Sequence, residues 1–336
     1  MEAEADLGDN ELSASISCRR RSASVSDDYS VQKTNDDATE SKFSAVKVGY
    51  WSDPYIHHFI VNPDNIHRRA PEILRGYWAR HAAFELSLKR ISELAGENLQ
   101  IISLGAGFDT LYFRLKERGF PFRKLVEVDF SSVTARKIRT ISKSDQLASA
   151  FQSRVSESHH SDLHADDYSL LGADIRQSAE LWQKLELANL DPSLPTVVLA
   201  ECVLVYLDVN VTENLVREFS KRFNELVFVS YEPVNMNDKF SSIMQSNLQE
   251  RGIHLVGLPA CENLLSQKAR FLNNGYPVAN AWTIQELYSQ HFNKDEVSRI
   301  EKLELLDERE LLAQLLEHYC LVLAVKTSGV FAGLVF

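Results

Sequence analysis

From residue 99 the chain alternates between short apolar runs and helix-like segments, and this feature constrains its fold more than any other. The runs LQIISL, KLVEVDF, YSLLGAD, TVVLAECVLVYL and LVFVSYEPV read as buried strands. Between most of them lie amphipathic segments such as SSVTARKIRTIS and TENLVREFSKRF. Strand, helix, strand, helix predicts a parallel sheet covered on both faces, an α/β doubly wound architecture. A late run, CLVLAVKT at 320–327, follows the helical DERELLAQLLEHY and supplies a further strand.

The remaining segments are additions to that sheet. Residues 1–40 are rich in Ser, Asp and Glu with almost no apolar periodicity, and read as a disordered tail whose deletion to residue 38, with Lys42 kept, leaves activity within about threefold. Within it, Arg19–Arg21 precede Ser22 and Ser24, a pattern that suits basophilic kinases, although a solvated tail explains it as well. Order is expected from Lys42. Asp53 and Pro54 open one helical turn, and Pro71 opens a helix that Gly96 stops. The polar stretch 142–166 and the helical stretch 235–300 read as insertions, and 329–336 as a C-terminal tail.

The glycine loop SLGAGFDT, residues 103–110, sits between a strand and a helix, where a doubly wound sheet binds its ligand. Thr110 stands where a dinucleotide loop has its third glycine, and no G-K-[ST] follows, so a pyrophosphate and a P-loop are both disfavoured. Asp109 at the helix entrance would also repel phosphate. Three acids then close successive strands. Asp129 in VEVDF, 24 positions after Gly105, is placed to accept ribose hydroxyls. Asp174 in LGADIR is placed to accept from an adenine amino group. Glu201 lies in an apolar strand and needs a partner there. Each acid alone could be a helix cap; together they fit a cationic adenosine ligand without phosphate.

Composition limits the partners. The net charge of −11 argues against gripping nucleic acid. No apolar run is long enough to cross a membrane, and the acidic start lacks a signal-peptide core. Cys18, Cys202, Cys261 and Cys320 are widely spaced and read as free thiols. His159, His160 and His164 lie in a polar insertion without an ordered ligand spacing and read as solvated rather than metal-binding.

In this order, the blocks KVGYWSDPYIHHF, APEILRGYWAR, LGAGFDT, EVDF, GADIR, AECVLVYL, YEPVNMNDKF and EVSRIEKLELLDERELLAQLLEHYCL resemble the leucine carboxyl methyltransferases over roughly residues 42–327. YEPVNMNDKF and the C-terminal block favour the phosphatase-directed branch over the transfer-RNA wybutosine enzymes. The resemblance implies a seven-stranded S-adenosylmethionine-dependent methyltransferase sheet spanning 41–328, with N-terminal helices at 41–96 and substrate-side helices at 235–300. It implies methylation of the C-terminal leucine carboxylate of the type 2A protein phosphatase catalytic subunit, with an effect on phosphatase assembly. The cofactor implied is S-adenosylmethionine and the partner is the phosphatase C-terminal tail. A cytoplasmic monomer bound to neither membrane nor nucleic acid is expected. Residue by residue, the resemblance implies cofactor contacts from Lys42, Arg80, Gly105, Asp129, Asp174, Ile175 and Glu201.

The chemistry needs no base, because a leucine α-carboxylate, with a pKa of about 3.3–3.7, is already ionised at neutral pH. What it needs is alignment of the carboxylate with the methyl group, and an arginine fork suits that task. Arg80 is the candidate catalytic residue; the alternative is a structural pair with Glu85 on its own helix. A nicotinamide-dependent oxidoreductase and a non-catalytic phosphatase-binding module are the rival readings.

Overall fold

The computed structural model describes residues 9–151, 155–158 and 160–335, with backbone alone over 9–27 and at 65. The strands are β1 (Gln100–Leu104), β2 (Lys124–Asp129), β3 (Ser156–Ser158), β4 (Asp162–His164), β5 (Tyr168–Gly172), β6 (Thr196–Glu201), β7 (Leu226–Pro233), β8 (Val278–Thr283) and β9 (Tyr319–Lys326). They form one sheet in the order β3-β4-β5-β2-β1-β6-β7-β9-β8. The run β5-β2-β1-β6-β7 is parallel, whereas β9 pairs antiparallel with both β7 and β8.

The expected seven strands are therefore present, and the sheet is extended to nine by the three-residue strands β3 and β4. This hairpin comes from the polar insertion. Its outer strand is mostly exposed, so it left no apolar signature in the sequence. Likewise, the stretch 235–300 contains the edge strand β8 as well as helices, and β8 is only half-buried.

Among the described residues twelve α-helices follow in chain order: α1 (Asp9–Val48), α2 (Pro71–Ala95), α3 (Leu111–Glu117), α4 (Ser131–Lys143), α5 (Asp145–Ala148), α6 (Ser178–Leu187), α7 (Val209–Arg222), α8 (Lys239–Glu250), α9 (Leu264–Leu272), α10 (Ile284–Gln290), α11 (Lys294–Glu301) and α12 (Arg309–Glu317). Alternate strand residues feed two separate cores. Ile101, Val227, Val229 and Leu323 pack on one face against α2 and α4, whereas Ile102, Leu226, Phe228 and Val322 pack on the other against α6, α7 and α9. Burial on both faces explains the continuous apolar runs.

Chain order reverses at β1, which lies between β2 and β6. That reversal leaves a crevice beyond the carboxyl ends of β1 and β6. The N-terminal segment does not stay clear of it. Helix α1 runs through residue 48, and Thr39, Ser41 and Ser44 on it are buried. The expected disorder up to residue 40 is thus corrected for 28–40. Residues 1–8, and the side chains of Ser22 and Ser24, lie outside the described residues.

The expected C-terminal tail is also docked. Glu225 accepts from the amides of Ser328 at 2.7 Å and Val330 at 3.1 Å, and this turn buries Phe331 and Leu334 in the core on the α2 side. Phe331 is 1% exposed. Replacing it with Ala is expected to cost about 3–5 kcal/mol in urea unfolding. A cost below about 1 kcal/mol would show that the end merely rests on the core.

Candidate active site

A cavity of about 350 Å³ fills the crevice. All seven residues singled out in the sequence line it: Lys42, Arg80, Gly105, Asp129, Asp174, Ile175 and Glu201. Strand ends supply the acids, α2 supplies Arg80, and α1 supplies Lys42 together with a wall that includes Asp28, Asn35 and Ala38.

The glycine loop is shaped by close approach. Gly105 and Gly107 have φ values of +59° and +52°, where a side chain is disfavoured. A Cβ on Gly105 would lie 2.6 Å from Val203 Cγ2, and one on Gly107 would lie 2.3 Å from Asn35 Oδ1. At the third position of the pattern, Thr110 is buried and donates to Asp53 Oδ2 at 2.5 Å. Asp53 also receives the amides of Tyr55 at 3.0 Å and Ile56 at 3.2 Å, which organises the turn before α2.

At the β2 end, Asp129 accepts from the amides of Gly107 and Phe130, both at 2.7 Å. Burial pushes its carboxyl above the ordinary value, against those two amides. At the β5 end, Asp174 is gripped by Arg176 Nε at 2.9 and 3.0 Å and by Nη2 at 2.9 Å. The far edge of the same guanidinium makes a bidentate pair with Asp28 of α1, at 2.7 and 2.8 Å. Its carbon lies 5.5 Å from the Phe130 ring centroid.

The third cluster contains alternating charges. Glu201 binds Arg80 Nε and, at 3.0 Å, Lys42 Nζ. Lys42 reaches Asp109 at 2.8 Å, and Asp109 reaches Arg114 at 3.4 Å. Arg114 continues to Glu85 at 2.8 Å. Arg80 Nη2 also donates to the Glu201 carbonyl at 3.3 Å, and the guanidinium lies over the rings of Tyr77 and Tyr231. Burial alone would raise the carboxyls of Asp109 and Glu201. Lys42 and Arg114 overcome this at Asp109, as Arg80 and Lys42 do at Glu201, and both are held below their ordinary values. Between these arginines His81 stacks on Trp51, with centroids 4.7 Å apart. Burial, followed by the Arg114 charge, pushes its imidazole down to about 3, so it is neutral at physiological pH.

The alternative for Arg80 does not hold: Glu85 is taken by Arg114 and by Arg118, the latter at 2.7 Å. Trp51, Tyr77 and Tyr206 line the cavity, whereas Trp78 is a core residue edge-on to Phe292. His58 bonds Gln146 at 2.8 Å, and His164 meets Ser169 at 3.2 Å, both away from the cavity. His159 lies outside the described residues. Sequence reasoning missed Arg114, Arg176 and Asn35, and it read Asp109 only as a repellent of phosphate.

Known proteins resemble this chain in both sequence and fold. A sequence model of the leucine carboxyl methyltransferase family matches residues 30–220. Leucine carboxyl methyltransferase 1 of Caenorhabditis elegans is 46% identical over 331 residues, covering 96% of this chain and 99% of that one. The Rattus norvegicus protein of the same name is 40% identical over 308 residues, covering 89% and 91%. Among solved structures, a Thermobifida fusca protein assigned as a methyltransferase superposes with a TM-score of 0.51 at 13% identity, over 86% of this chain and 94% of that one. That likeness is one of fold.

Because α1 forms a cavity wall, its removal has a clear expected consequence. A chain lacking residues 1–38 but keeping Lys42 loses the Asp28–Arg176 pair and the Asn35 bond to the Phe108 amide. Its affinity for S-adenosylhomocysteine, measured by calorimetry, is expected to fall about tenfold or more, corresponding to 1.4 kcal/mol. Unchanged affinity would remove the helix from the site.

Proposed function

The chain belongs to the leucine carboxyl methyltransferase family, and we propose that it methylates the α-carboxylate of the C-terminal leucine of a type 2A protein phosphatase catalytic subunit. The observation that carries this reading is one cavity with two kinds of lining residue. It presents the strand-end acids and the Arg80–Glu201–Lys42 cluster. The lining also includes the apolar Val205 and Leu207 after β6, and Met244, Leu248, Ile253 and Leu255 from α8 and the segment that follows it. A leucine side chain suits the second group and its carboxylate suits the first.

S-adenosylmethionine, the cofactor of the family, supplies a methyl group activated on a sulfonium. The residues present fit it. Asp129 offers two carboxylate oxygens to a pair of hydroxyls, Asp174 and Ile175 flank the position of a base, and the Gly105 loop has no side chain in the way. Lys42, Arg80 and Glu201 present both signs of charge, which an amino-acid moiety requires. The cavity volume lies in the range of small-molecule sites.

For the transfer itself the chain has to position and desolvate an already ionised carboxylate. Arg80 commits Nε and Nη2 to Glu201, and this fixes the plane of the fork and leaves the Nη1 edge for a substrate oxygen. Tyr77 and Tyr231 hold that plane from their faces. Positioning of this kind can supply about 7–11 kcal/mol of the barrier. Esterification removes one negative charge from the phosphatase tail, a change suited to regulating its assembly. We place the reaction in the cytoplasm and assign the enzyme as a monomer.

Incubation with methyl-labelled S-adenosylmethionine tests the substrate directly. Label is expected on the intact catalytic subunit and absent from one lacking its last leucine; equal labelling of both would refute the reading. Arg80→Lys keeps the charge but loses the fork. Its kcat at saturating cofactor is expected to fall about 10²-fold, or 2.7 kcal/mol. Full recovery at saturating cofactor would reduce Arg80 to a cofactor clamp.

A further inference from the structure

The turn that follows β6 adopts a conformation its residues do not favour by themselves. Cys202 has φ +56°, a left-handed geometry that a side-chain-bearing residue adopts only when its surroundings hold it there. Leu204–Tyr206 then form a tight helical turn whose leading amides point inward. Their partner is Glu232 near the end of β7, which is 0% exposed. Its Oε1 accepts from Val203 N at 3.0 Å and from Leu204 N at 2.8 Å, and its Oε2 accepts from Val205 N at 3.0 Å. The strained residue itself donates its amide to the Tyr231 carbonyl at 2.8 Å.

The other side of this turn faces the cavity. Cys202, Val203, Val205 and Tyr206 line it, whereas Glu232 does not. Val203 is the residue a Cβ on Gly105 would strike, and the Val205 carbonyl accepts from Gly257 N at 2.9 Å. One buried carboxylate therefore fixes the link between the glycine loop, the Glu201 strand end and the segment after α8. An apolar side chain would fill the same space but could accept no hydrogen bonds. Three amides take the place of solvent around the acid, and the buried Arg270 on α9 adds a countercharge.

We infer that Glu232 is a positioning residue for methyl transfer, holding the 202–206 turn so that Glu201, and through it Arg80, meet the substrate at the required place. This rests on the methyl-transfer reading above. It acts without touching the reacting groups, so its loss is expected in turnover rather than in binding.

Glu232→Gln keeps the shape but turns an NH₂ toward at least one of the three amides. Its kcat at saturating cofactor and substrate is expected to fall roughly 10–100-fold, with S-adenosylhomocysteine affinity within about threefold of wild type. Glu232→Asp, which keeps the charge, is expected to recover part of the rate. A lowered Tm with unchanged kcat would overturn the inference, as would complete rescue by extra cofactor. Hydrogen exchange on the wild-type protein gives a readout that needs no variant. The 203–205 amides are expected to be protected like those of β6, and exchange at free-peptide rates would overturn the clamp. If the wild type labels no leucine carboxylate, the functional reading and this inference fail together. An active wild type with an unaffected Gln variant sinks the inference alone.

Discussion

The Glu201 carboxylate holds the site together. It sits at the end of β6 and binds one cation from α2, Arg80, and one from α1, Lys42. Both helices precede the sheet in the chain, so this acid ties the N-terminal addition across the mouth of the crevice. Lys42 passes the connection to Asp109, and Asp109 to Arg114. Such a row of half-buried charges is costly unless each member is paired, and removing one partner leaves the next uncompensated. The row is therefore expected to behave as a unit, and a substitution anywhere in it should move its neighbours.

Much of this was legible in the sequence because the sheet is buried on both faces. Continuous apolar runs marked β1, β2, β5, β6, β7 and β9, and acids at strand ends marked the ligand side. The glycine loop was legible because Gly105 and Gly107 hold left-handed φ values that few other residues tolerate. Helix α1 was not legible. Its docked face is polar: Asp28 meets Arg176, Asp36 meets Arg136 at 2.9 Å, and Asp37 meets Arg251. A helix held by ion pairs has no apolar stripe, so its composition is that of a solvated tail. The hairpin β3–β4 and the edge strand β8 were missed for a related reason: exposed edges need no continuous apolar run. Arg176 was missed because a surface-like Asp-Ile-Arg gives no hint that its guanidinium grips acids on both sides.

The division of labour in the cavity follows from the chemistry. A carboxylate that is ionised at neutral pH needs no proton removed, and the groups around the cavity are suited to holding rather than to proton transfer. His81 stays neutral at physiological pH, and burial raises the Cys202 thiol to about 12. The side chains that remain charged, Arg80 and Lys42 among them, are locked in pairs. Rate enhancement in such a site comes from orientation and from exclusion of water.

In the methyl-transfer reading, Arg80 acts through the plane that Glu201 imposes on it. A double-mutant cycle with Arg80→Lys, Glu201→Gln and the pair, read as kcat at saturating cofactor, tests this directly. A double variant no slower than the worse single one is expected, with a coupling energy of at least about 1 kcal/mol. Effects that add to within about 0.3–0.5 kcal/mol would show two independent residues and contradict it.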